Sequence, residues 1–122
     1  MHPASSRNLD GMSQQSLEQD IIEWIAERTT DYSLRAQCRA ANTVSRSFSG
    51  AGSFTQLRTS GDAPSSSLSR SDVDPAIKSP ELPLDGGCVL FLKGGRIDLL
   101  EIYVHGSDPY PDDIEKYELL EK

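Results

Sequence analysis

With 122 residues, two cysteines and a hydrophobic share of 36%, the chain fits one domain able to bury a core without obligatory disulfides or metal. Its 12 basic and 19 acidic residues give a net charge of −7, which argues against a nucleic-acid ligand, since neutralising phosphates needs a concentrated basic face. No charged N-terminal region leads into an apolar stretch and no apolar run reaches about 18 residues, so a cytoplasmic protein with no membrane association is expected.

Residues 1–15 lack periodicity and read as a flexible leader to a single domain spanning 16–122. Ser16-Leu-Glu-Gln19 matches a capping box and predicts a helix start. Leu17, Ile21, Trp24 and Ile25 then form one apolar stripe, with Glu18, Asp20, Glu23 and Glu27 largely off it. Thr29-Thr30-Asp31 can interrupt that helix, and Asp31 can cap a second stretch through Leu34 and Cys38 to about Ala41. One bent helix and a pair of helices both fit.

From Thr43, Val44, Arg46 and Phe48 and then Phe54, Gln56 and Arg58 predict two short strands around Gly50-Ala-Gly52. Residues 60–83 hold seven serines and four prolines with few apolar side chains, the composition of a loop. A helical turn near Asp74-Pro-Ala-Ile is compatible with proline at a first helical position. Cys88–Leu92 and Ile97–Val104 carry the strongest strand signals and are joined by Gly94-Gly95, a dipeptide suited to a tight primed turn. Both faces of the second strand are apolar, which places it mid-sheet with helix over part of its second face. Pro109 and Pro111 then take the chain out of any central ladder, and Asp112 or Asp113 can cap a last turn containing Ile114, Tyr117 and Leu120. The expected fold is α+β: an N-terminal helix or helix pair packed on an antiparallel sheet of about four strands built from two hairpins. Trp24, Ile21 and Ile25 should face Leu90, Leu99 or Leu100.

Charge is unevenly spread: residues 1–27 carry −4, 28–70 carry +4, 71–97 carry −1 and 98–122 carry −6. The acidic end suits a basic protein partner. No phosphate-binding loop, zinc-type Cys/His spacing or nucleophile elbow occurs, and the terminal acids lack the alternating oxygen ligands of a calcium loop, so no cofactor, metal or catalytic residue is expected. Cys38 and Cys88, with no cationic cluster beside them, read as reduced core thiols. His105 and Glu101 share a strand face but stand about 13 Å apart at the usual rise, too far for a direct dyad. Glu101 is the unusual residue, a carboxylate in a strand fit for burial, for which a bridge to Arg46, Arg58 or Arg96 is expected. The candidate binding residues are Glu101, Tyr103, His105, Asp108, Tyr110, Asp112, Asp113 and Glu115, with Tyr117 as a further aromatic anchor.

Phe48, Gly50, Gly52, Phe54 and Thr55, then Phe91, Gly95, Leu99, Leu100, Glu101, Tyr103, Asp108 and Pro111, follow a "tGxGffT" hairpin and an "lf.k.G.id.LEgyty.de.wP" hairpin and tail. In these motifs the chain resembles a family of small, mostly uncharacterised bacterial proteins. It departs from their pattern at Ser53, Ile102 and Tyr110, where an aromatic, a glycine and a tryptophan are usual. The resemblance implies a small α+β unit and, by analogy, a role like that of toxin-neutralising immunity proteins. The expected function is a non-enzymatic protein-interaction module whose acidic surface binds a basic protein. The alternative is a small-ligand binding protein or minor enzyme with Glu101, His105 and Arg46 or Arg58 in one cleft. A homodimer through sheet-edge pairing is a third reading.

Overall fold

The computed structural model describes residues 13–82, 84–105 and 114–122. Two helices, α1 (Ser13–Arg28) and α2 (Tyr32–Arg39), precede and pack on an antiparallel sheet. Its strands are β1 (Asn42–Phe48), β2 (Gly52–Arg58), β3 (Ala76–Lys78), β4 (Gly86–Lys93), β5 (Arg96–Val104) and β6 (Glu118–Leu120), in the spatial order β1-β2-β5-β4-β3-β6. The α+β class is as expected, but the sheet has six strands rather than about four. The two additions are short and held by pairing distant in sequence: β3 joins β4 at Gly86–Gly87, and β6 joins β3.

The helices are two, not one bent rod. Asp31 caps α2, its Oδ1 accepting the Leu34 amide at 2.7 Å. Helix α1 begins at Ser13, so the Ser16–Gln19 capping box lies inside it and Gln14 and Gln15, expected in the leader, are helical. Tertiary bonds favour the earlier start: the Gln14 amide donates to Glu18 at 3.0 Å and to Ser53 at 3.1 Å.

Both expected hairpins form. Gly50 adopts φ +85° in the β1–β2 connection, and Gly94 and Gly95 take φ +60° and +83° between β4 and β5, values that side-chain-bearing residues rarely adopt. Strand β5 lies between β2 and β4 as expected. Ile97 pairs with Leu92 and Leu99 with Phe91, so Asp98 is an extra residue, and this bulge turns Ile97 to the same face as Leu100.

Leu17, Ile21, Trp24 and Ile25 meet Cys88, Leu90, Leu100 and Ile102 in one core, while Leu99 lies outside it. Both cysteines are free and buried, and burial pushes each thiol up to about 12. The Ser/Pro-rich stretch is not wholly loop. Ser69 and Ser71 bond the backbone of β4, Ile77 is fully buried, and Ala76–Lys78 forms β3 where a helical turn at Asp74 was expected. At the C-terminus the expected last turn is the strand β6, with Ile114 and Tyr117 buried in the core.

Candidate functional site

In an antiparallel sheet, residues directly opposite one another share a face, so the register sorts side chains without ambiguity. One face carries Arg46, Thr55, Leu100 and Leu90 in a row, and the helices cover it. The other, which we call the outer face, carries Phe54, Glu101 and Val89 in one row, Gln56, Leu99 and Phe91 in the next, and Tyr103 opposite Gly52 and Gly87. None of these outer residues belongs to the core cluster, and Phe54, Phe91, Leu99, Glu101 and Tyr103 are all half-buried. Helix cover was expected on this second face, whereas the buried apolar residues of both helices belong to the core cluster on the other.

Three expected site residues, Glu101, Tyr103 and His105, therefore stand together at i, i+2 and i+4 of one strand and its end. The rings of Tyr103 and His105 meet edge to face with centroids 5.6 Å apart. Tyr103 lies over Gly87, where an added Cβ would collide with the phenol ring and its oxygen. Glycine at 87 thus lets an aromatic ring rest on the strand. Asp108, Tyr110, Asp112 and Asp113 lie outside the described residues. Glu115 is exposed, its amide donating to the Glu81 carboxylate at 2.7 Å. Tyr117 is not an anchor for a partner: it is 2% exposed, and its hydroxyl donates to Asp20 on α1.

The expected bridge from Glu101 to an arginine is not present. Among the described residues Glu101 has neither hydrogen bond nor ion pair. The buried, fully bonded carboxylate is Glu18 instead, 1% exposed on the helix side. It accepts Arg46 Nε and Nη2 at 2.6 Å each, Thr55 Oγ1 at 2.6 Å and Gln14 Nε2 at 3.0 Å. The bidentate bond from Glu18 raises the Arg46 guanidinium above its ordinary value, against burial, which lowers it. Arg46 is thus committed to the opposite face from Glu101.

Arg58 and Arg96 lie apart from both. They line a cleft of about 400 Å³ with Val44, Leu57, Thr59 and Asp98 at the β1–β2–β5 end, and neither Glu101 nor His105 reaches it. Arg96 donates to the Ala63 and Ser60 carbonyls, and Gln56 donates to Asp98, so most polar groups there are already bonded. Among the described residues, the Glu/His/Arg cleft of the alternative reading is therefore not assembled by these arginines.

The residues missed from sequence are Phe54, Val89 and Leu99, which make the surroundings of Glu101 apolar. The signal for them lies in the two hairpins, whose alternation puts every second residue beside Glu101 once a register is assigned. No protein-family model, curated protein or solved structure matches the chain.

Proposed function

We propose that this chain is a non-enzymatic protein-interaction module that docks a basic protein on the outer face of its sheet. The observation that carries this reading is Glu101: a carboxylate without a bonded partner among the described residues, set among Phe54, Val89, Leu99 and Tyr103. A lysine or arginine from a partner, brought to that carboxylate with apolar contacts around it, would form a charge pair shielded from water by its surroundings. Half-buried aromatic and aliphatic neighbours supply contact area without a large loss of side-chain freedom. The overall acidity, and the acids Asp108, Asp112, Asp113 and Glu115 that follow the strand, would speed encounter with a positively charged partner. Neutralisation of a basic toxin, the immunity-type role, is the biological form of this reading, and its support is the motif resemblance.

The test is to capture partners from the native host on the immobilised chain and measure association with the purified partner at low and high salt. Glu101→Lys should weaken the complex by about a hundredfold, chiefly through faster dissociation, the scale of a desolvated charge pair turned repulsive. Charge reversal of Asp112, Asp113 and Glu115 together should lower the on-rate and its salt dependence. Unchanged binding by Glu101→Lys would remove the outer face as the contact.

A further inference from the structure

The ladder between β2 and β5 stops at the pair Gln56–Leu99, yet β2 runs on to Arg58 and β5 begins as early as Arg96. Two irregularities sit at this end of the sheet: the register of β1 shifts between Thr43 and Ser45, and Asp98 is the extra residue of β5. Bulges of this kind interrupt pairing and re-aim side chains. The strands part here, and the gap is the cleft of about 400 Å³, a volume that suits a small organic molecule.

Three charged side chains line this cleft without forming an ion pair with one another. Arg58 is exposed, and among the described residues its guanidinium has neither a hydrogen bond nor an ion pair. Arg96 donates to the Ser60 and Ala63 carbonyls, which hold its side chain in place and leave its charge without a carboxylate. Asp98 accepts the Gln56 amide through Oδ1 at 2.7 Å, and the same amide donates to the Asp98 carbonyl at 2.8 Å. The carboxylate is thereby fixed, while its Oδ2 has no bond among the described residues. Val44, 50% exposed, supplies an apolar wall beside these groups. Two cations without a counter-ion, a carboxylate oxygen that can only accept and an aliphatic surface together call for an anionic group, a neighbouring donor and a hydrocarbon portion.

We propose that this cleft binds a small aliphatic carboxylate bearing a donor on the adjacent carbon, the α-amino or α-hydroxy acid class. The ligand carboxylate would lie against Arg58, with Arg96 adding its charge, and the ammonium or hydroxyl would donate to Asp98 Oδ2. A plain fatty acid or a neutral amide would each leave one of these groups unpaired. The site is separate from the outer-face contact: neither Glu101 nor His105 lines it, and it takes a small molecule rather than a protein.

The probes share one side chain: leucine, its hydroxy counterpart leucic acid, isocaproate, which lacks the donor, and leucinamide, which lacks the carboxylate. Each is titrated into the full chain, with calorimetry for affinity and backbone amide shifts for location. The tighter-binding of leucine and leucic acid identifies the donor, and it should exceed isocaproate and leucinamide by at least about tenfold, the scale of one hydrogen bond to a charged group. The largest amide shifts should fall at Leu57, Arg58, Ile97 and Asp98. Arg58→Ala should weaken that ligand by about tenfold and leave leucinamide unchanged. Asp98→Asn keeps an acceptor for the Gln56 amide but turns the free oxygen into a donor, so it should abolish the preference over isocaproate. No binding of any of these compounds, equal affinity for leucinamide and leucine, or shifts centred on Val89, Glu101 and Tyr103 would each overturn the proposal.

Discussion

The two faces of the sheet each carry one glutamate near the centre, and they treat it in opposite ways. Glu18 reaches the helix face from α1, is almost wholly buried, and is met by Arg46, Thr55 and Gln14. Glu101 rises from β5 on the outer face, half-buried, with no bonded partner among the described residues. A carboxylate removed from water must be compensated within the molecule, whereas one left in reach of water can keep its charge for a partner. Burial together with bonding separates a carboxylate that holds the fold from one available for contact.

The largest effect should come from breaking the compensated side. Arg46→Ala leaves Glu18 buried without its counter-ion and should cost about 3 kcal/mol in urea unfolding, with the denaturant slope unchanged. On the outer face, Gly87→Ala drives a methyl group into the Tyr103 ring and should cost about 1–2 kcal/mol. Loss of the ring contact between Tyr103 and His105, seen in the aromatic proton shifts, would mark where the ring has moved.

Asp74 lies between these two cases. Among the described residues its Oδ1 is buried with no hydrogen-bond partner, and Lys122 approaches the other oxygen at 3.7 Å. Burial raises its pKa above the usual carboxylate value despite the pull of Lys122 and Arg70. The folded state therefore holds this proton to higher pH than the unfolded state, and stability is lost as pH rises from the ordinary carboxylate value through the raised one. Asp74→Asn should raise the thermal midpoint at neutral pH and leave it unchanged in acid well below the carboxylate range. Two residues earlier the sign is reversed. Burial pushes Asp72 up, yet bonds from Thr29 and Thr30 prevail and hold it below the usual value. Its stabilisation is present above the ordinary carboxylate value and disappears as pH falls through the depressed one. The smallest effect belongs to Glu101→Gln, which should change stability by less than about 0.5 kcal/mol. A loss of several kcal/mol there would show that Glu101 belongs to the fold after all.

The sequence was most legible where structure is local. The Asp31 cap, the Gly94-Gly95 turn and the β1–β2 hairpin each follow from a few adjacent residues, and each formed as expected. Less legible was whatever depends on a distant partner. The Asp74-Pro-Ala-Ile stretch has the composition of a helix start, but its backbone bonds are made by Gly86–Gly87 on one side and by β6 on the other. Glu18 and Asp20 fall off the apolar stripe by helical counting, yet both are buried, because Arg46, Thr55 and Tyr117 arrive from elsewhere in the chain to meet them. The ion pair expected at Glu101 was right in kind and assigned to the wrong carboxylate. An apolar neighbourhood in sequence does not say which glutamate an arginine will reach in space. For the candidate site, the strand and the residues Glu101, Tyr103 and His105 were legible; their apolar setting required the register.

One side chain shows what that dependence on distance means for the order of folding. The amide of Gln37, fully buried on α2, donates to the Pro64 and Gly95 carbonyls and accepts the Ile97 amide, each at 2.8 Å. Its own carbonyl accepts the Thr59 hydroxyl. These partners lie 22 to 60 residues further along the chain. The bonds can form only after the helix, the serine-rich stretch and the β4–β5 turn have come together, which loop-closure entropy makes a late event. Gln37 therefore acts as a latch on a finished molecule. Replacing it with leucine should leave the refolding rate nearly unchanged and speed unfolding severalfold, so the residue governs how long the native state persists rather than how quickly it is reached.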